Sequence, residues 1–171
     1  MSRFRLTIES NLNDVFLVSV VSRGVCERLG MSAAETSAVE VCAVEAVTNA
    51  IKHAYLARRG HEVSIEIRSH AERLDLYICD KGEQMPAAHA AKLLRGSRVF
   101  EFNPFDLTAI PEGGMGLQII YQLMDEAVYS TEAGINCLRL TKFLKVAKPR
   151  GVPEALPDAV DVCLEPTHGT F

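Results

Sequence analysis

Three polar side chains recur four residues apart in a segment that otherwise has the composition of a buried helix. Glu45, Asn49 and His53 stand among Ala, Val, Thr and Ile within residues 35–55, and no Pro or Gly interrupts the segment. Because four residues advance an α-helix by about 40° beyond a full turn, the three polar heads form a shallow column. A carboxylate and an amide facing an apolar interior are costly unless something polar fills the space beside them, and a metal-bound phosphate would do so.

The same column has simpler explanations. Glu45 and Asn49 could form a structural polar pair, and His53 could be a histidine that is satisfied at a helix end. A Glu–Asn–His column could also hold a transition metal, although no second His or Cys stands at ligand spacing. The residues of the helix alone leave these alternatives open.

Length and composition limit the class of protein. The chain has 171 residues, 48% of them hydrophobic, which is enough for one domain with a proper core. The formal net charge of -4 and the lack of a Lys/Arg run argue against a nucleic-acid partner. No signal peptide or membrane-length apolar run is present, so we expect a cytoplasmic protein with no membrane contact. The five cysteines include no CxxC pair and predict free thiols in a reducing compartment.

Apolar periodicity predicts the elements that position the column. Val39, Ala43 and Val47 form the apolar stripe of the central helix, and Ser32 with Glu35 resembles a capping box at its start. Further segments are predicted by their patterns: a helix over 15–29, and strands over 3–9, 63–67, 74–79, 128–130 and 135–141. The predicted fold class is an α/β sandwich, with a mixed, mostly antiparallel sheet and helices on one face.

Two glycine-containing segments follow the third predicted strand. Asp80 and Gly82 stand at the strand exit, where a plain turn is the alternative interpretation. After a short helix predicted over 87–94, periodicity is lost, and so long a loop in a compact domain is mobile or functional. The loop ends in a Gly-rich run over 113–116 that leads into a helix, and such a helix start can cradle phosphate.

Three motifs in this order resemble those of the GHKL ATPase superfamily, which has the Bergerat fold. The run EAVTNAIKHAY at 45–55 resembles its N-box, DKGEQM at 80–85 resembles its Asp-x-Gly-x-Gly motif, and GGMGL at 113–117 resembles its third motif. The pattern N-A-x-x-H-A-Y and the late L-T-K at 140–142 are particularly similar to the anti-sigma-factor serine/threonine kinases of the RsbW/SpoIIAB type.

The resemblance covers about residues 3–145 and implies a division of the chain. We expect a GHKL ATP-binding kinase domain over residues 1–147, with an ATP lid at 95–113. Residues 148–171 contain several prolines and are expected to form a flexible tail.

The resemblance implies roles for the polar column. Asn49 would hold the Mg²⁺ that bridges the phosphates of ATP, since an amide oxygen is a neutral, hard ligand. Glu45 would act as general base on a serine hydroxyl. His53 would contact the phosphates or the ribose.

The resemblance also implies contacts at both ends of the nucleotide. Asp80 would accept a hydrogen bond from the adenine amino group, Gly82 would let the backbone approach the base, and Met85 would pack on the ring. Thr141 would place a hydroxyl near the adenine. The phosphate side would be formed by residues at the start of the next helix: Gly114, Met115, Gly116 and Leu117. Gln84 departs from the motif, because the family has a second Gly there and Gln restricts φ.

The implied function is that of an anti-sigma factor and serine/threonine protein kinase. It would sequester a sigma factor and use ATP to phosphorylate a small STAS-type antagonist, and homodimers are common among such proteins. One alternative is a nucleotide-dependent binding module without phosphoryl transfer, to which Gln84 lends support. The other is a detached histidine-kinase catalytic domain. The sequence shows no dimerising helical hairpin with a phospho-acceptor His before the domain, which argues against this alternative.

Overall fold

Five antiparallel strands form one sheet, and the helices cover one of its faces. The computed structural model describes residues 2–87, 90 and 115–144. The elements in chain order are β1 (Ser2–Glu9), a 3-10 turn (Leu12–Asp14), α1 (Val15–Arg28), α2 (Ala33–Asn49), a π-helical turn (Ala50–Ala54), β2 (Glu62–Ser69), β3 (Arg73–Asp80), α3 (Met115–Leu123), β4 (Glu126–Glu132) and β5 (Ile135–Phe143). The strand order is β1-β2-β3-β5-β4. The predicted α/β class is confirmed, and all strand pairs among the described residues are antiparallel.

Helix α2 begins as the sequence predicts but ends differently. The Oγ of Ser32 accepts a hydrogen bond from the Glu35 N–H, and the Glu35 carboxylate accepts one from the Ser32 N–H, which completes the capping box. The apolar stripe is buried, with Val39 and Val47 both 0% exposed. At residues 50–54 the helix widens into a π-helical turn, a feature that is often found at functional sites.

The core lies between the helices and the inner face of the sheet. Leu76 of β3 and Leu140 of β5 are partners in the register and are both 0% exposed. The alternation places their neighbours at every second position on the same face: Val63, Ile65, Ile67, Leu74, Ile78 and Leu138. None of the described helices is long and apolar enough to span a membrane.

The outer face of the sheet carries a buried carboxylate beneath arginines. Glu66 is 5% exposed and accepts hydrogen bonds from Arg3, Arg5 and Arg68. Burial by itself raises the pKa of Glu66, but the hydrogen bonds from the three arginines outweigh burial and lower the pKa to about 2. The folded state therefore favours the charged form of this carboxyl.

The prediction that all cysteines are free thiols is wrong for one pair. Cys79 and Cys137 stand directly opposite each other in the β3–β5 register and form a disulfide, with Cα atoms 4.2 Å apart. Cys26 and Cys42 are free and buried, and Cys163 lies outside the described residues. The pair was missed because its members are 58 residues apart in the chain and meet only when the two strands pair.

Several predictions fall on residues that the structure does not describe. The short helix predicted over 87–94 is described as helical only at Ala87 and Ala90. The lid at 95–113 and the tail at 148–171 lie outside the described residues. The domain boundary at 147 therefore stays a prediction.

Replacing Glu66 by Gln should weaken the fold in a pH-dependent way. The pKa of Glu66 is about 2 in the folded protein and about 4.5 as an ordinary value, so its carboxylate stabilises the fold above pH 4.5. This contribution is lost as the pH falls from 4.5 towards 2. We expect E66Q to lower the free energy of unfolding at pH 7 by about 2–3 kcal/mol. Urea titrations over this pH range measure both quantities.

The control is Glu72→Gln, which removes an exposed carboxylate from the turn between β2 and β3. E72Q should leave the acid dependence of the unfolding free energy close to that of the parent protein. Equal acid dependence in E66Q and E72Q would contradict the role assigned to the arginine cluster.

Candidate active site

Glu45 and Asn49 lie together on α2 and face the first turn of α3. A β-carbon placed on Gly116 would lie 2.5 Å from Oε2 of Glu45 and 3.2 Å from Nδ2 of Asn49. Gly116 is the second residue of α3, so the backbone of this turn approaches both polar heads as closely as glycine alone permits. A helix N-terminus carries partial positive charge, which favours the Glu45 carboxylate and other anionic groups beside it.

The amide of Asn49 has an atom without a partner. Its Nδ2 is buried and forms no hydrogen bond with the described residues. An unsatisfied buried polar group costs about 1–3 kcal/mol, so the arrangement is explained if a polar ligand binds beside the amide. Half a turn about the last torsion exchanges the amide oxygen and nitrogen, so either atom can face such a ligand. With its oxygen facing the ligand, the Asn49 amide is a suitable ligand for the phosphate-bound Mg²⁺ that the sequence predicts.

His53 lies beyond the α-helical part of the segment, and its contact with the phosphates or the ribose stays a prediction. It lies in the π-helical turn and is exposed, whereas Asn49 is half-buried. The wider turn changes the direction of the side chains that follow Asn49. Within the part of the chain that the structure describes, no group of three or more His, Cys, Asp or Glu converges on a point where a metal ion could bind.

Asp80 is the last residue of β3 and is held by two donors. Its Oδ1 accepts hydrogen bonds from Nδ2 of Asn136 and from the N–H of Gly82, each at 2.9 Å. Burial raises the pKa of Asp80 above its ordinary value, and these two hydrogen bonds offset only part of that effect. The second oxygen, Oδ2, accepts no hydrogen bond from the described residues and remains available to a ligand.

Asn136 is the site residue that the sequence analysis missed. It is 1% exposed and stands opposite Asp80 in the β3–β5 register. Its Nδ2 also lies 3.1 Å from the carbonyl oxygen of Gly82, and its Oδ1 accepts a hydrogen bond from Oγ1 of Thr131 at 2.9 Å. One buried amide therefore positions both the Asp80 carboxyl and the turn after it. The available signal was an Asn at an inward-facing position of the apolar alternation 135–140.

The turn after β3 packs against the end of the α2 segment. A β-carbon on Gly82 would lie 2.3 Å from the carbonyl oxygen of Ala54, and the Glu83 N–H donates to that oxygen at 2.8 Å. The hydroxyl of Tyr55 accepts a hydrogen bond from the Lys81 N–H at 2.8 Å. The end of the helical segment therefore fixes the turn.

One helical segment links the two polar groups. Ala54, which contacts the turn after Asp80, follows Asn49 by five residues and Glu45 by nine. Ala54 lies in the π-helical turn that continues α2. The turn after Asp80 therefore packs against the same helical segment that carries Glu45 and Asn49.

Other predicted contacts are described in part. Met85 is half-buried, and its N–H donates to the hydroxyl of Tyr129 at 2.9 Å. Leu117 packs against the core. Gly114 lies outside the described residues, and of Met115 only the backbone is described.

Thr141 is not brought to the Asp80 end of the sheet. Its hydroxyl donates to Oδ1 of Asp75 at 2.8 Å, and the two residues are partners in the β3–β5 register. Asp75 precedes Asp80 by five residues, which is about 17 Å along a strand. Because five is an odd number, Asp75 and its partner Thr141 lie on the outer face of the sheet, whereas Asp80 faces inward.

Gln84 occupies the position of the motif's second glycine without backbone strain. Gln84 is exposed, and among the described residues it is not one of those with positive φ. The restriction that a side chain places on φ therefore costs nothing at this position.

The structure shows an antiparallel α/β sandwich with polar side chains beside α2, and the comparisons with known proteins identify this class of domain. Residues 8–142 match the family model described as "Histidine kinase-like ATPase domain". Because this match covers well over half of the sequence, the chain belongs to that family. The resemblance predicted from the three motifs is confirmed.

Curated relatives and a solved structure agree with this assignment. The chain is 28% identical to serine-protein kinase RsbW of Bacillus licheniformis over 131 residues, covering 76% of this chain and 78% of the relative. It is 27% identical to RsbW of Bacillus subtilis (strain 168) over 134 residues, with the same coverage. The structure of the RsbU and RsbW domains of a Mycobacterium tuberculosis protein matches with a TM-score of 0.58 at 15% identity. That match covers 86% of this chain and 34% of the other, and shows a common fold.

Replacing Gly82 by Ala should destabilise the protein. The added carbon would lie 2.3 Å from a backbone carbonyl oxygen, so the turn must move away from Ala54 and lose the hydrogen bond from Glu83. We expect G82A to lower the free energy of unfolding by about 1–3 kcal/mol, measured by urea denaturation.

The matched control is Gly24→Ala in α1, where an added carbon meets nothing within 4 Å. G24A should raise the free energy of unfolding by about 0.5–1 kcal/mol, because alanine is the better helix former. A G82A protein as stable as G24A would show that the turn after β3 is not fixed against α2.

Proposed function

We propose that the protein is an ATP-dependent serine/threonine protein kinase of the partner-switching type, in which Mg²⁺–ATP binds along α2. The observation that carries the proposal is the Asn49 amide beside Glu45: its Nδ2 is buried with no hydrogen-bond partner among the described residues, and Gly116 brings the start of α3 against both side chains. The relatives that bear the name serine-protein kinase support the same activity.

Each residue of the phosphate end has a role in this proposal. Bound Mg²⁺–ATP supplies a γ-phosphoryl group whose charge is partly neutralised by the cation. The Asn49 amide oxygen is the ligand that this chain offers to the cation. Glu45 orients the incoming serine hydroxyl and accepts its proton. The start of α3, from Met115 to Leu117, offers backbone N–H groups to the phosphates, and Gly114 and the proposed lid at 95–113 complete this end of the site.

The adenine end is formed by Asp80 and its supports. Oδ2 of Asp80 accepts a hydrogen bond from the adenine amino group, while Asn136 and the Gly82 N–H hold Oδ1. Guanine presents a carbonyl oxygen at the same place, so an acceptor facing an acceptor disfavours GTP. Met85 provides the apolar wall against the ring.

The proposed partners are a sigma factor and a small STAS-type antagonist. The protein sequesters the sigma factor and phosphorylates a serine on the antagonist. The unphosphorylated antagonist releases the sigma factor. This exchange takes place in the cytoplasm, with the kinase domain over 1–147 as the catalytic part, and a homodimer is the proposed form.

Glu45→Gln should abolish phosphoryl transfer and spare ATP binding. The amide keeps the size of the carboxyl but cannot accept the proton of the hydroxyl, a loss of about 10²–10⁴-fold for a general base. Transfer is measured with γ-labelled ATP, Mg²⁺ and the cognate antagonist, and ATP affinity is measured by calorimetry. The phosphate on the product should be acid-stable, as expected for a serine ester.

One result would contradict the role of Glu45, and two others would contradict the kinase proposal. Unchanged transfer by E45Q would remove Glu45 from the mechanism. Acid-labile phosphate would indicate a histidine kinase, and ATP binding with no transfer by the parent protein would indicate a nucleotide-dependent binding module.

Asp80→Asn should weaken nucleotide binding without destabilising the nucleotide-free protein. Asn retains an acceptor for Asn136 and Gly82 but turns a donor towards the adenine amino group. We expect ATP affinity to fall by about 10–100-fold, in line with a lost charge-assisted hydrogen bond. The unfolding free energy of the nucleotide-free protein should stay equal or rise at pH 7, because a buried charge is removed.

The pH dependence gives an independent check on Asp80. Because its pKa is raised in the folded protein, the parent loses stability relative to D80N as the pH rises from the ordinary value of 3.8 through the raised value. A constant difference in unfolding free energy between the two proteins over that interval, or undiminished ATP affinity in D80N, would contradict the assignment.

A further inference from the structure

We propose that Cys79 and Cys137 form a reversible thiol–disulfide site that sets the affinity of the adjoining adenine end for nucleotide. The nucleotide half of this inference rests on the function proposed above, whereas the chemistry of the cysteine pair does not. The two residues are the only disulfide-bonded cysteines among the described residues.

The sulfur atoms lie in a row of small side chains on the outer face of the sheet. Register partners across the five strands form this row: Thr7, Ser64, Cys79, Cys137 and Ser130. No large side chain stands directly beside either cysteine in the row, and both cysteines are partly exposed. Cys26 and Cys42 are buried in the core by contrast. Among the described cysteines, small thiols and disulfides from solution can therefore reach this pair more readily than Cys26 or Cys42.

The pair is coupled to the candidate site through the chain itself. Cys79 immediately precedes Asp80, and Cys137 immediately follows Asn136. Asp80 and Asn136 form the last pair of the β3–β5 register, and strand ends open more readily than strand centres. A covalent link one pair inside this end limits the separation of the strands, and so preserves the hydrogen bond from Asn136 to Asp80.

The oxidation step is an exchange with a low-molecular-weight disulfide such as oxidised glutathione. The thiolate of one cysteine attacks a sulfur of that disulfide, and one glutathione thiolate leaves and takes up a proton. The thiolate of the second cysteine attacks the protein sulfur of the mixed disulfide and releases the second glutathione. Two protein thiols lose two electrons and two protons, and one disulfide is reduced to two thiols. Excess dithiol reverses the exchange.

Oxidation should tighten ATP binding. In the oxidised form Asp80 and Asn136 are already held in the binding geometry, whereas the reduced form must close the strand end when the adenine binds. We expect reduction to weaken ATP affinity by about 3–10-fold, the scale of effect that preorganisation of one contact produces.

The experiment uses the full chain in two redox states. One sample is treated with oxidised glutathione and the other with dithiothreitol, and differential alkylation with peptide mass mapping identifies the linked cysteines. ATP affinity with Mg²⁺ is then measured by calorimetry in both states, and again after the reduced sample is reoxidised. The control is the Cys79→Ser/Cys137→Ser double variant, which retains the other three cysteines, with circular dichroism to verify its fold.

The expected result is a mapped Cys79–Cys137 link, an affinity that falls on reduction and returns on reoxidation, and no redox response in the double variant. The proposal is overturned if the link does not form, if affinity is equal in both states, or if the double variant still responds. If neither state binds ATP, the proposed function fails and the coupling fails with it. A mapped link in those same samples would then locate the failure in the nucleotide site and not in the cysteine chemistry.

Discussion

Helix α2 and the turn that extends it meet a glycine at two points, and these two close approaches set the geometry of the candidate site. Gly116 brings the start of α3 against Glu45 and Asn49, while Gly82 brings the turn after β3 against Ala54. A side chain at either glycine would separate the elements by the width of a methyl group. The two ends of the site are therefore positioned by backbone packing on one rigid helical segment.

The site contains polar groups that the fold alone would not favour. Asn49 keeps a buried amide atom without a partner among the described residues, and Asp80 keeps a buried carboxyl whose pKa is raised by burial. Several buried carboxylates are paired, such as Glu66 with three arginines and Asp75 with Thr141. The hydroxyls of Thr36 and Tyr121 are also buried without a partner among the described residues. Asn49 differs from these two in its position beside Glu45 and the close approach of Gly116.

Local patterns in the sequence predicted the parts of the fold that depend on local physics. The capping box of Ser32 and Glu35 and the apolar stripe of α2 are properties of one helix, and the strand that ends in Asp80 follows a period of two. The π-helical turn could not be predicted, because nothing in the composition of residues 50–54 distinguishes it from an α-helix. His53 lies in this turn and is exposed.

The partners of residues that meet only through strand pairing could not be predicted from the sequence. Asn136 and the Cys79–Cys137 pair acquire their meaning from the β3–β5 register, which no residue pattern specifies. The face occupied by Thr141 was accessible in principle, since Thr141 stands at an odd separation from the inward-facing Leu138. The motif resemblance implies that its hydroxyl lies near the adenine, whereas the alternation of the strand places Thr141 on the outer face of the sheet.

The most direct test of the central claim, that one elongated site along α2 binds adenine at one end and Mg²⁺-bound phosphates at the other, is thermal unfolding with ATP or GTP, each with and without Mg²⁺. A ligand that binds only the folded state raises the unfolding midpoint, and the rise grows with the ratio of the ligand concentration to its dissociation constant. The account predicts a rise of several degrees with Mg²⁺ and millimolar ATP, a smaller rise without Mg²⁺, and none with GTP. Equal shifts with ATP and GTP, or no shift with Mg²⁺ and ATP, would contradict it.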